Sequence, residues 1–155
     1  MSFETYKPAK LFTVDQANAT MPLVRAITAD LANLARDVSQ RRQRLDYLMS
    51  GRDLASGDPY GEELSQMHDD LRIDMGQLQE YVSELRQLGV EPKGLEDGLV
   101  DFPCMMDGRI VYLCWKLGEP EVLYWHELDG GFGGRRPLTA DSVADAGLGD
   151  DALEN

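Results

Sequence analysis

The stretch GLVDFPCMMDGRIVYLCWKL, residues 98–117, decides the fold, because two runs rich in apolar, β-branched and aromatic residues flank one tight-turn dipeptide. Asp107 and Gly108 suit a two-residue type I′ turn, whose two central positions both need positive φ. The stretch is therefore predicted to form a β-hairpin. The predicted register sets three pairs opposite each other: Met106 with Arg109, Cys104 with Val111, and Asp101 with Cys114.

A third strand is predicted from Val122 to Leu128, after the reversal LGEPE. The most compact register places Trp115 opposite Val122 and Val111 opposite His126. Together the three strands form a small antiparallel sheet.

The strand RIVYLCW, residues 109–115, is apolar on both faces. One layer of helices covers only one face of such a sheet, which would leave the other face in water. We therefore expect a second copy of the chain to cover it, so a homodimer is predicted. Cys104 and Cys114 face different partners in this register, and both are expected to be reduced thiols.

Upstream of Gly89 the apolar residues recur every three or four positions, which is typical of paired helices. The pattern predicts a long antiparallel, coiled-coil-like helical hairpin with a short leading helix over residues 12–88. Thr13 and Gln16 have capping-box spacing for the short helix, and Pro22 suits the first turn of the next one.

Two polar residues, Arg41 and His68, interrupt the apolar stripes of this hairpin. Folding the chain about the turn-rich segment 50–61 brings them about one layer apart. One interpretation is a polar pair that fixes the register of the helices at some cost in stability. The alternative is a contact with a ligand or a partner.

Length and charge limit the classes of protein to consider. A chain of 155 residues is the size of one domain, predicted over 1–138, with the strands and a Gly-rich loop in 98–138. Residues 139–155 carry five acidic and no basic residues and are predicted to be a disordered tail. A net charge of −13 argues against nucleic acid or a membrane as partner. With no signal-like segment at its N-terminus, the chain is expected to be cytoplasmic.

Five segments of the sequence carry a resemblance to a known family: FT..QAN..MP at 12–22, GLVDFP at 98–103, DGR.VYLCW at 107–115, GEPE at 118–121 and YWHELD.GF.GR.PL at 124–138. The family that these motifs resemble is the bacterial domain-of-unknown-function 2203 family. The resemblance covers nearly the whole chain except the tail. It implies no assigned activity and no catalytic residues.

The segment YWHELD suggests a metal site at a strand end. His126 with Glu127 or Asp129 offers imidazole and carboxylate ligands, which suit zinc, iron or manganese. In a regular strand Glu127 points away from the face of His126. Only a break after Trp125 would bring both side chains to one ion.

The glycine-rich segment GGFGG, residues 130–134, suggests a site for a small anionic ligand instead. The candidate binding residues are Gly131 and Gly133 with their backbone amides, and Arg109 and Arg135 with their guanidinium groups, assisted by Arg136. The pattern matches no established phosphate-binding loop, and these glycines would also serve a tight reversal.

A structural interpretation explains the same residues without a ligand. Arg109 and Arg135 would pair with Glu127, Asp129 or Asp101 and close the sheet. The aromatic residues Trp115, Tyr124 and Trp125 would then lie in the core or in a dimer interface.

The sequence therefore predicts an α+β fold, with a long antiparallel helical hairpin followed by a three-stranded antiparallel sheet. The favoured function is a cytosolic, homodimeric binding or interaction module with a small-ligand or metal site around His126. The alternative is a metal-dependent, hydrolase-like enzyme that uses His126 and the neighbouring carboxylates.

Overall fold

The computed structural model describes residues 6–52 and 59–142. It confirms the α+β class, with long helices followed by an antiparallel sheet. The helices are α1 (Val14–Ala19), α2 (Met21–Met49) and α3 (Gly61–Gln87). The strands are β1 (Glu91–Gly94), β2 (Leu99–Met106), β3 (Arg109–Lys116), β4 (Tyr124–His126) and β5 (Arg136–Pro137).

The capping box that starts α1 is confirmed. The Thr13 hydroxyl accepts a hydrogen bond from the Gln16 backbone N–H at 3.0 Å, and the Gln16 side chain accepts one from the Thr13 N–H at 3.1 Å. Pro22 lies in the first turn of α2, where its missing N–H costs no helical hydrogen bond. These local signals set where the helical part of the chain begins.

Helices α2 and α3 pack against each other through the apolar cluster Val38, Leu45, Leu64 and Leu71. Arg41 of α2 forms an ion pair with Asp74 of α3 and lies 2.9 Å from Asp37 on its own helix. His68 is exposed, so the polar residue that faces Arg41 across the helices is Asp74. The residues of 53–58, which join the two helices, lie outside the described part of the chain.

The β2–β3 hairpin has the predicted register. Asp107 and Gly108 both have positive φ, at 51° and 75°, and Asp101 lies opposite Cys114. The prediction of three strands was wrong, because β1 and β5 extend the sheet to five strands in the order β1-β2-β3-β4-β5.

The predicted register of the next strand was wrong by one residue, since His126 lies opposite Tyr112 rather than Val111. Val122 does not enter the strand, because its N–H donates to the Asn18 side chain of α1 at 2.7 Å. The connection after Trp115 is therefore longer than the compact reversal predicted.

The two faces of the sheet have different surroundings. The helix-facing side carries the core residues Val100, Phe102, Cys104, Val111, Leu113, Trp115 and Trp125. On the outer face, Tyr112, Cys114 and His126 are buried within a single chain, and the Tyr6 ring lies 6.0 Å from that of Tyr112. Covering these side chains therefore needs no second subunit, although a homodimer itself stays a prediction.

Within the described residues, none of the helices combines the length and the apolar character needed to span a membrane. The predicted acidic tail, 139–155, lies almost wholly outside the described residues, which end at 142.

We expect Gly98→Ala to lower the free energy of unfolding by about 2–4 kcal/mol, because overpacking adds to the cost of left-handed backbone. Gly98 has φ of 67°, and a β-carbon there would lie 2.6 Å from the β-carbon of Leu117. Gly108→Ala is the matched control, since φ is 75° and nothing lies within 4 Å. It should cost only about 1–2 kcal/mol. If urea unfolding shows that both substitutions lower the free energy of unfolding equally, the contact with Leu117 is unimportant.

Candidate functional site

Three neighbouring strands bring Asp101, Cys114 and His126 together on the outer face of the sheet. Asp101 of β2 lies directly opposite Cys114 of β3, and His126 ends β4 opposite Tyr112, two residues from Cys114. Side chains two residues apart in a strand share a face. The strand register alone therefore gathers an acid, a thiol and an imidazole.

The potential ligand atoms of these residues are close and shielded from solvent. One carboxylate oxygen of Asp101, the Cys114 sulfur and a ring nitrogen of His126 all lie within 4.8 Å of one another. The residues are only 1%, 0% and 2% exposed, respectively. Burial of ionisable groups is costly unless they have partners, so each polar atom here must be accounted for.

The ring of His126 is held in one orientation by its two nitrogens. Nδ1 lies 2.6 Å from the carbonyl oxygen of Glu127, and because a carbonyl only accepts, Nδ1 carries the hydrogen and donates. Nε2 lies 3.0 Å from Oδ1 of Asp101. Nε2 is thereby directed at the carboxylate, and it is the nitrogen available to bind a ligand.

The protonation of the cluster follows from its burial. Burial raises the pKa of Asp101, while the neighbouring His126 acts in the opposite direction. Burial also raises the pKa of the Cys114 thiol, to about 12, and the Asp101 carboxylate adds to this effect. The thiol is therefore protonated at neutral pH and is a poor nucleophile, since the thiolate is the reactive form.

Aromatic and basic side chains cover the cluster. The centre of the Tyr112 ring lies 5.5 Å from that of the His126 ring. The Tyr6 and Tyr112 rings pack against each other in an edge-to-face arrangement. The Lys93 ammonium lies 4.7 Å from the centre of the Tyr112 ring. Burial raises the pKa of Tyr112, so its phenol stays neutral.

The other metal ligands predicted from the sequence, Glu127 and Asp129, do not join His126. Strand β4 ends at His126, and the Gly130 N–H then donates to the Glu127 carbonyl in a turn. The Glu127 carboxylate accepts two hydrogen bonds from Arg109, at 2.5 and 3.2 Å, which lowers its pKa. Asp129 is exposed. The pairing of Arg109 with Glu127 is one of those that the structural interpretation of the sequence predicts.

The arginines predicted to bind an anion have partners within the chain. Both carboxylate oxygens of Glu119 accept from Arg135, at 2.6 and 2.8 Å, and the guanidinium carbon lies 4.0 Å from the centre of the Tyr124 ring and 4.7 Å from that of Phe132. Gly131 has φ of 61° and precedes the short 3₁₀ turn Phe132–Gly134, which contains Gly133. The glycines therefore serve a tight reversal, and Arg109 and Arg135 are both paired with carboxylates of the chain.

Comparison with protein families places the chain beside a family of known sequence pattern. The family described as "Uncharacterized conserved protein (DUF2203)" matches residues 10–138. The comparisons with curated proteins and with solved structures gave no match.

We expect Asp101→Leu and His126→Leu each to lower the free energy of unfolding by about 3–5 kcal/mol, because either change leaves the other buried group without its hydrogen-bond partner. The double variant should lose much less than the sum of the single losses. Urea unfolding in the presence of a chelator measures the cycle.

The exposed pair Arg109 and Glu127 provides the comparison, since ion pairs in solvent contribute little. Arg109→Gln and Glu127→Gln should have small and nearly additive effects. Additive losses for Asp101 and His126 as well would contradict a coupled buried pair.

Proposed function

We propose that this chain, which belongs to the DUF2203 family, is a metal-binding module whose ion is held by Asp101, Cys114 and His126. The observation that carries the proposal is the convergence of three ligand types within 4.8 Å in a buried site. The bound ion would join strands β2, β3 and β4 and stabilise the sheet.

The mixture of ligands indicates the class of metal. A thiolate and an imidazole suit zinc or iron, whereas magnesium, calcium and manganese prefer oxygen ligands. Of the three metals expected around His126, which are zinc, iron and manganese, these ligands favour zinc and iron. Among the three residues, Cys114 distinguishes these classes most clearly, because a thiolate selects a softer ion.

The hydrogen bond made by the other ring nitrogen of His126 supports a role as a ligand. Metal-binding histidines usually donate the N–H of the nitrogen away from the ion to a carbonyl or a carboxylate. His126 makes such a bond through Nδ1 to the Glu127 carbonyl. The orientation of the ring is therefore fixed before any ion binds, which reduces the entropy lost on binding.

The charges of the site also support the proposal. A divalent ion bound by the Asp101 carboxylate and the Cys114 thiolate would make a centre with no net charge, which suits a buried position. Metal binding deprotonates a thiol even when burial raises its pKa. Two protons would leave the cluster on binding, one from the thiol and one shared by Asp101 and His126.

Burial favours a structural role for the ion over hydrolysis. A catalytic ion needs an open coordination position that a substrate can reach. Asp101, Cys114 and His126 are all nearly inaccessible to solvent. The bound ion is therefore proposed to hold a binding module together rather than to activate water.

We further propose that α2 and α3 form an antiparallel, coiled-coil-like hairpin, and that the chain works as a cytoplasmic homodimer without nucleic acid or membrane. The ion pair between Arg41 and Asp74 and the shared apolar cluster support the hairpin. Ile73 and Tyr47, which are 70% and 80% exposed on these helices, offer apolar surface for a second copy.

Protein expressed with added zinc and purified without chelators should contain about one equivalent of metal per chain. Chelated protein should bind cobalt and show the charge-transfer absorption of a cobalt–thiolate bond. Cys114→Ser should abolish that band and lower the metal content, because serine supplies no thiolate. Elemental analysis and absorption spectroscopy measure the two effects.

Cys104→Ser is the matched control, because Cys104 is also buried but lies on the helix-facing side of the sheet. It should retain both metal and band. Circular dichroism identifies variants that fail to fold, and the cobalt titration of the wild type decides the question without any variant. Wild-type protein that neither contains metal nor gives the band would refute the proposal.

Light scattering should give twice the chain mass of 17.3 kDa. We expect Ile73→Glu to shift the mass towards that of one chain, since a charge in an apolar interface opposes association. Leu23→Glu, at a residue 53% exposed near the start of α2, is the control and should leave the dimer intact. A wild type that is monomeric at micromolar concentration would exclude the homodimer.

A further inference from the structure

A cavity of about 390 Å³ lies between α2 and α3, away from the proposed metal site. Its lining combines basic side chains, apolar side chains and one carboxylate from the two helices: Arg42, Leu45, Asp46, His68, Leu71, Arg72 and Met75. The basic members converge from two helices on one concavity, in a chain whose net charge is −13.

Arg42 differs from several other arginines of the described chain in the kind of atom that accepts its hydrogen bond. Arg41, Arg86 and Arg135 each donate to a carboxylate within the chain. The Arg42 guanidinium instead donates to the thioether sulfur of Met75, at 3.8 Å. A thioether is a weak acceptor, so this guanidinium keeps nearly its full capacity to bind an anion.

The remaining polar residues add to the same donor set. Arg72 is 76% exposed and its nearest carboxylate, Asp69, lies 3.5 Å away, so that contact is weak and readily exchanged. His68 is exposed and can donate a ring N–H. The His68 imidazole, which interrupts the apolar stripe of the sequence, thus lines this cavity and is not buried between the two helices.

The base of the cavity is apolar. Leu45 and Leu71 are 3% and 6% exposed and belong to the apolar cluster between the helices, with Met75 packed beside them. An anion with a short apolar part would therefore bury surface against this base, whereas an inorganic ion would contact only the rim.

Asp46 is the one acidic residue of the lining, and it opposes the binding of an anion. Its carboxylate accepts hydrogen bonds only, so it favours a ligand that also carries a hydroxyl or ammonium donor. The lining then has two arginines and an imidazole against one carboxylate.

We infer that this cavity binds a small organic anion, a phosphate monoester or a carboxylate, between Arg42 and Arg72. His68 donates a hydrogen bond to the anion, and the apolar part of the ligand lies on Leu45 and Leu71. The inference is independent of the metal site, because the two sites share no residue.

Nuclear magnetic resonance titration with phenyl phosphate and with benzoate tests the inference. At least one probe should shift the side-chain signals of Arg42 and His68, with a dissociation constant on the order of 1 mM. The preferred probe identifies the head group. Inorganic phosphate should bind roughly fivefold more weakly than phenyl phosphate, because it cannot use the apolar base.

Two substitutions of opposite sign sharpen the test. The double variant Arg42→Gln/Arg72→Gln should bind at least about tenfold more weakly, and Asp46→Asn should bind about threefold more tightly. Arg25→Gln is the control, since Arg25 donates to the Pro120 carbonyl at the opposite end of α2, and it should change nothing. These residues lie at the surface, so the variants should fold.

Two results would overturn the inference. One is that neither probe shifts the signals of Arg42 and His68 at about 10 mM, a concentration well above the expected dissociation constant. The other is an affinity that is the same in the double variant as in the wild type, which would place the bound probe elsewhere.

Discussion

Tyr112 of β3 lies opposite His126 of β4, and this pairing decides which side of the sheet carries polar chemistry. Successive side chains of a strand alternate between faces, so a slip of one residue would turn His126 towards the helices and into the apolar core. Trp125 would then leave that core for the outer face, and neither residue would keep its surroundings. The cost of burying an imidazole without its partner thus opposes the slip, and the register and the site support each other.

Local chemistry made much of the fold predictable. The capping box at Thr13, the positive-φ turn at Asp107 and the apolar, β-branched runs of the β2–β3 hairpin are short-range signals, and the structure agrees with each. Strands β1 and β5 have no such signal, because one is four residues with a proline and the other is two residues. They form through tertiary contacts, such as the hydrogen bond from Leu138 to the Leu123 carbonyl beside β5.

The candidate site was predicted only in part, for one physical reason. The sequence singled out His126, and the hairpin register already placed Asp101 opposite Cys114. A slip of one residue in the predicted third strand put His126 on the wrong face of the sheet, and the ligands predicted beside it, Glu127 and Asp129, came from the same short segment of the sequence. The length of the connection after Trp115 depends on the bond from Val122 to Asn18, about a hundred residues away, and no local pattern reveals it.

An acid, a thiol and an imidazole in the interior need a thermodynamic reason. A set of apolar side chains of similar volume would fill the same space without the desolvation penalty, and buried ionic groups seldom stabilise a fold more than such a set. The hydrogen bonds among Asp101, His126 and the Glu127 carbonyl offset part of that penalty. The Cys114 thiol offsets little of it, because it is a weak donor. Only as a thiolate bound to a cation would it contribute strongly, and the metal ion proposed above would supply this contribution in a buried position.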